Sequence, residues 1–313
     1  MASVLISGGT GLVGSHLSKH LVEKGFEVVI LTRNKKLTSD NPKITYSYWN
    51  VREKVIDAER IKKSDHIVHL AGAGIVDKKW TTEYQKIIVD SRTKSAELIL
   101  DCLKDNQHQV KTFVSASAIG WYGEDGRNEE NKDGFVETDL PSHDFLGETC
   151  VAWEASTEPA TSLGIRLVKL RSGIVLSNKG GELAEFETPL KFGIAPILGS
   201  GKQVVSWIHI SDLCRMYTEA IENPYLHGSY NAVAPKPVTQ RELIITLGQK
   251  FRNRFFIPVY VPSFVLKLMF GKRSIEILKS ATISNKKIKA TGFTFLFPSI
   301  ESAIEDLKAH PEK

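Results

Sequence analysis

Apolar residues in this chain fall into short continuous runs that alternate with stretches at helical spacing. Ser3 to Ser7 is an apolar run closed by glycines, and Leu12 to Glu23 then places apolar side chains three and four apart, which predicts a strand, a tight turn and a helix. Runs over Glu27 to Thr32, Asp65 to Leu70, Val110 to Ser115 and Ile165 to Leu170 predict further strands. Asp90 to Lys104 and the stretch closed by Trp153 to Thr161 predict helices between them. Strand and helix in alternation imply right-handed crossovers. The expected fold class is α/β, a doubly wound parallel sheet with helices on both faces.

Beyond residue 170 the rhythm changes. Gly180 to Lys202 is rich in glycine and proline, a strand around Val204 to Ile210 leads into a helix capped by Ser211 or Asp212, and Thr239 caps a helix over Gln240 to Lys250. Pro258, Pro262 and the apolar Phe264 to Phe270 mark a small, mostly helical C-terminal part. The expected organisation is a main domain over 1–225, whose substrate part begins near 176, and a small helical domain over 255–308.

With 313 residues, 42% hydrophobic and 25% charged, the composition is that of an ordinary globular protein and excludes a disordered or fibrous chain. Lys and Arg number 41 against 36 Asp and Glu, and the net +5 is spread along the sequence, so nucleic acid is not an expected partner. Cys102, Cys150 and Cys214 are far apart and without metal-ligand spacing, which fits reduced thiols and a cytoplasmic location. No run approaches the ~20 apolar residues of a membrane span, so no membrane partner is expected and no metal either.

The turn Gly8-Gly9-Thr10-Gly11-Leu12-Val13-Gly14 stands directly after a strand and at the opening of a helix. Glycines there let the backbone approach a pyrophosphate, and the helix N-terminus offers free N–H groups and partial positive charge, so a dinucleotide site is expected. A site for a free ribose 2'-hydroxyl has an acidic residue ~20 positions on. This chain instead has Thr32-Arg33-Asn34-Lys35, whose guanidinium suits a 2'-phosphate, so NADP(H) is expected over NAD(H).

The glycine turn, His69 to Gly74, Val114 to Gly123 and Arg171 to Leu176 together resemble the extended short-chain dehydrogenase/reductases, the NAD(P)-dependent epimerase/dehydratase family. Gly199 to Gln203, Ser206 to His209, Asn231 to Pro235 and the ending Thr291-Gly292-Phe293 with Phe297-Pro298 resemble its atypical epimerase-like subfamily, which has its own small C-terminal domain. The resemblance implies a Rossmann-like fold and a cofactor touching Gly8, Thr10, Gly11, Leu12 and Val13 at the pyrophosphate. It further implies contacts from Thr32 and Arg33 at the adenosine, Leu70 and Ala71 at the fourth strand, and Arg92 and Val175.

Members of that family carry a serine or threonine and a Tyr-x-x-x-Lys pair on one helix face, where the ammonium lowers the phenol pKa. None of the eight tyrosines here has a lysine four residues later. On the helix that should carry the pair, the matching positions are Cys150 and Glu154, and a carboxylate beside a thiol makes it a poorer donor. The catalytic candidates are therefore Ser117, with Ser115 near it, and Tyr122, which offers either a hydroxyl or an aromatic wall. His209 is an acid/base candidate or a structural histidine, Gly199 to Gln203 a closing loop or a plain turn, and Lys279, Lys286, Lys287 and Lys289 a solvated cluster. Two functions stay open: an NADP(H)-dependent oxidoreductase or epimerase acting on a small polar or sugar-nucleotide-like substrate, and a non-catalytic NADP(H)-binding sensor or partner-binding protein. A homodimer is compatible with either.

Overall fold

A computed structural model describes residues 1–126, 134–180, 182–252 and 255–310. In chain order the elements are β1 (Ser3–Ser7), α1 (Leu12–Glu23), β2 (Glu27–Thr32), β3 (Ile44–Tyr48), α2 (Ala58–Lys62), β4 (His66–His69), α3 (Thr82–Lys104), β5 (Thr112–Ala118), α4 (Phe145–Thr157), α5 (Pro159–Ser162), β6 (Arg166–Ser172) and β7 (Ile174–Leu176). There follow α6 (Glu182–Lys191), β8 (Ile194–Leu198), β9 (Val204–Val205), β10 (Trp207–His209), α7 (Ile210–Glu222), β11 (Gly228–Ala232), β12 (Val238–Thr239), α8 (Gln240–Arg252) and β13 (Ile257–Val261). Four helices complete the chain, α9 (Ser263–Phe270), α10 (Ser274–Leu278), α11 (Lys286–Ala290) and α12 (Ile300–Ala309).

Seven strands form one parallel sheet in the order β3-β2-β1-β4-β5-β6-β11. The order reverses between β1 and β4, and a crevice opens at the carboxyl ends of strands at such a switch point. Alternation sends Val4 and Ile6 of β1 to one face and Leu5 to the other. On the first face Leu17 and Leu21 of α1, four apart, pack in one core with Leu213 and Tyr217 of α7. On the second, Ile99 and Leu103 of α3 join Ile61 of α2 and Phe113 of β5. Each fully buried leucine stabilises the fold by roughly 2 kcal/mol. A third core joins Leu176, Trp207, Leu243 and Leu247 to Ile300 and Ile304 of α12.

The doubly wound parallel sheet matches the expected fold class, and several details differ. α3 begins at Thr82, because the Thr81 side chain accepts from the Tyr84 N–H and caps it there. The sheet edges are β3 and β11, neither of which falls in a strand expected from the apolar runs, and β11 lies past residue 225, the expected end of the main domain. The cap of α7 is His209, whose ring accepts from the Ser211 N–H. Asp212 is fully buried and does other work, accepting from the backbone N–H groups of Leu296 and Phe297 at 2.9 Å each and so fastening the C-terminal segment to α7. Among the described residues no helix is long and apolar enough to cross a membrane.

Candidate active site

Three glycines of the turn after β1 are needed for different reasons. Gly8 has φ +72°, and a Cβ there would stand 2.7 Å from the Leu70 carbonyl carbon at the end of β4. A Cβ on Gly14 would lie 2.3 Å from the Gly8 oxygen, so this glycine lets α1 close onto the turn. Gly11 is different. Its N–H donates to Gly8 O at 3.0 Å, and a Cβ there would meet only that oxygen, at 3.3 Å. Of the three, Gly11 is the glycine that the protein's own packing constrains least.

The first turn of α1 has no side-chain cap and no acidic residue, which leaves its N–H groups and dipole for an anion. Thr10 and Gly11 are exposed and Leu12 and Val13 half-buried. At the end of β2, Thr32 is buried, accepts from the Asn34 N–H and turns the chain so that Arg33 is exposed. Lys35 lies over the Tyr48 ring. Leu70 and Ala71 follow β4, held to Ser7 by the Leu70 N–H donating to its carbonyl and the Ala71 N–H to its hydroxyl. These residues stand at the carboxyl ends of β1, β2 and β4, where the strand order reverses, and the uncapped helix N–H groups suit the phosphates of a dinucleotide.

Arg92 reaches the same end of the sheet from α3. Its Nη1 donates to the Ala73 and Ile88 carbonyls at 3.0 and 2.9 Å, and its guanidinium lies 4.8 Å from the Trp153 ring. It pairs with no carboxylate among the described residues, so its positive charge is kept at the crevice wall. Val175 lies in β7, packed against the first core and paired with Ile208.

The other half of the crevice is built from β5, β6 and α4. Leu146, Cys150 and Glu154 are spaced four apart on α4, so they share a face. Leu146 and Cys150 pack under Gly120, the Cys150 Sγ lies 3.6 Å from the Ala118 carbonyl, and Glu154 receives the Ser117 hydroxyl at 2.7 Å. Whichever adjacent pair stands where a tyrosine and lysine would, neither a phenol nor an ammonium is present. Burial, with Glu154 beside it, pushes the Cys150 thiol up to about 12, so it is neither nucleophile nor donor near neutrality.

Ser117 and Tyr122 are both buried and both spent on neighbours. Arg171 of β6 makes a two-pronged pair with Glu154, Nε to Oε1 at 2.7 Å and Nη2 to Oε2 at 3.0 Å. Its Nη1 donates to the Tyr122 hydroxyl at 2.9 Å, which donates to Asn231 Oδ1 at 2.6 Å. Ser229 donates to Glu154 as well. Burial alone would raise the Glu154 carboxyl, yet the bonds from Arg171 and Ser117 hold it below its ordinary range, so it is ionised. Burial pushes the Tyr122 phenol far above its usual value, and it stacks on Phe135. Sequence reasoning missed this network, although a charge within the apolar run of β6 signals a buried partner.

The remaining candidates are structural in their surroundings. Burial pushes the His209 imidazole down to about 4, and its ring packs on Phe297 at 3.9 Å between centroids. The turn from Gly199 to Gln203 is pinned by Gln203 Nε2 donating to Leu198 O and by the Gln240 N–H donating to Gln203 O. The expected solvated lysine cluster does not hold for Lys279, which is mostly buried and pairs with Asp144 at 2.7 Å and Glu276 at 3.1 Å. Lys287 donates to the Ser229 carbonyl and, like Lys286 and Lys289, is exposed.

Comparison with known proteins agrees with this geometry. The NAD dependent epimerase/dehydratase family matches residues 4–141, and a domain of unknown function, DUF1731, matches residues 261–307. The chain is 34% identical to an epimerase family protein of Staphylococcus haemolyticus over 98% of its own length and 99% of the relative's. The human epimerase family protein SDR39U1, crystallised with NADPH, superposes with a TM-score of 0.83 at 28% identity, covering 98% of this chain and 99% of that one. A nucleoside-diphosphate sugar epimerase from Corynebacterium glutamicum gives 0.74 at 28% identity, over 98% of this chain and 58% of that one. The glycine turn and switch-point crevice occupy the first matched segment and α9 to α12 the second, and the chain belongs to the NAD-dependent epimerase/dehydratase family.

Proposed function

We propose that the chain binds NADP(H) along the carboxyl ends of β1, β2 and β4, and that it is an oxidoreductase or epimerase-like enzyme for a small polar or sugar-nucleotide-like substrate. The observation that carries the reading is the turn itself, where the first turn of α1 has no side-chain cap and no acidic residue, with Arg33 exposed just past the end of β2. The human relative crystallised with NADPH supports the same reading. The Gly8 to Val13 backbone would hold the pyrophosphate, Arg33 the 2'-phosphate, and Arg92 would keep positive charge at the wall. When bound, the nicotinamide supplies or accepts a hydride. Protonation of a substrate oxygen does not run through a tyrosine and lysine pair, since α4 carries none.

The buried network favours a second reading, NADP(H) binding without turnover, because Ser117 and Tyr122 are already committed to Glu154, Arg171 and Asn231. Cofactor absorbance followed during exposure to carbonyl compounds and sugar nucleotides separates the two. The enzyme reading expects cofactor oxidation or reduction with at least one substrate. Tight NADPH binding with no redox change or epimerised product across the whole panel supports the second.

A further inference from the structure

We propose that the face formed by β13 and α9 docks on an anionic lipid bilayer surface. β13 reads Ile257-Pro258-Val259-Tyr260-Val261 and, among the described residues, pairs only with β8. A strand covered on one side hides alternate residues, yet here consecutive positions 257 to 260 are all exposed. The chain runs directly into α9, which buries Leu266 and turns Phe264 and Leu268, four apart, outward at 72% and 85% exposure. Met269 is exposed on α9, and Phe192, 80% exposed, sits beside the start of β13, where the Ile257 N–H donates to the Gly193 carbonyl. Large apolar side chains gathered this way on a surface mark a contact site.

The charge around this face selects the occupant. The chain has 36 Asp and Glu, but none falls between Thr188 and Ser211 or between Leu243 and Ile275, the two segments that supply β8, β13 and α9. Those segments hold eight lysines and arginines. Lys191, next to Phe192, and Lys267, between Phe264 and Leu268, are exposed. A second copy of this chain is a poor occupant, because a two-fold axis would set these cations against themselves and Pro258 denies the open strand a backbone donor. Of the eight, Lys250 pairs with Glu305, but exposed aromatic and aliphatic side chains beside Lys191 and Lys267 match a bilayer instead, where apolar groups enter the acyl boundary and each cation near an anionic surface adds attraction. The absence of a spanning segment says nothing against a face that lies on a membrane.

The test is sedimentation of the full chain with vesicles of phosphatidylcholine alone and of phosphatidylcholine and phosphatidylglycerol in equal parts, at low and high salt. The expected result is binding to the anionic vesicles, weakened by salt, with little binding to the neutral ones. Lys267→Glu should weaken it by roughly fivefold or more, and Phe264→Glu with Leu268→Glu should remove it. NADPH affinity and the thermal midpoint of each variant report whether it is folded. Equal indifference to both vesicle types in the wild type overturns the proposal. So does a wild-type dimer that ignores vesicles and becomes monomeric in the Phe264→Glu, Leu268→Glu variant.

Discussion

The two halves of the crevice treat their polar groups in opposite ways. Around α1 the backbone donors of the first turn have no side-chain cap, Arg33 stands exposed, and a Cβ at Gly11 would meet one atom of the protein, Gly8 O. Around α4 every polar group named as a candidate is satisfied internally: Ser117 by Glu154, Glu154 by Arg171, Tyr122 by Arg171 and Asn231. Unsatisfied donors facing a crevice are a binding site, whereas a closed buried network holds strands together. The difference teaches that the α1 side leaves its polar groups open to the crevice, whereas the α4 side closes them on one another.

The largest effect expected from breaking that contrast is Glu154→Ala, which leaves Arg171 buried without its counter-charge. Loss of one partner of a buried pair costs about 3 to 5 kcal/mol, and urea unfolding should show it. An unchanged midpoint would mean the network is not structural.

The glycines sharpen the comparison within the nucleotide half. Gly14→Ala pushes a Cβ to 2.3 Å from Gly8 O and should destabilise the fold by about 1 to 3 kcal/mol while weakening NADPH binding. Gly11→Val should destabilise the fold less than Gly14→Ala, by about 1 kcal/mol through the loss of a good N-cap residue, and abolish NADPH binding, since the valine fills the ligand's side of the turn. Undiminished affinity in that folded variant refutes the assignment of the turn.

The glycine turn was legible because its chemistry is local, with glycines, strand end and helix start within a dozen residues. The network was not, because Ser117 and Tyr122, Glu154, Arg171 and Asn231 come from four separate stretches of the chain and meet only in the tertiary fold. The absence of a Tyr/Lys pair was visible in sequence; that Glu154 would face a buried arginine was not. The start of α3 was hidden by its polar first turns, and His209 took the cap expected of Ser211 or Asp212, whose carboxylate instead binds the backbone at Leu296 and Phe297.

Acid should unfold the protein partly through buried histidines. Burial pushes His69 down to about 3 and His209 to about 4, from an ordinary 6.5, so the unfolded chain binds more protons than the native one as pH falls below 6.5. Their contribution is full above 6.5 and is lost progressively toward 4. The slope of midpoint against pH should flatten in His69→Gln, and an unaltered slope would exclude His69 as a source.

A smaller effect is expected from Tyr122→Phe, which removes the hydroxyl between Arg171 and Asn231 and should cost about 1 to 3 kcal/mol with NADPH affinity unchanged. A loss of affinity with stability intact would move Tyr122 from the structural half to the ligand half.

The most direct measurement is a titration of NADPH and NADH into the wild type and Arg33→Ala. An added charge-assisted hydrogen bond is worth about 1.5 to 3 kcal/mol, so wild type should bind NADPH roughly tenfold to a hundredfold more tightly than NADH, and the variant should bind the two alike. Equal affinities in the wild type, or a preference that survives Arg33→Ala, would contradict the account.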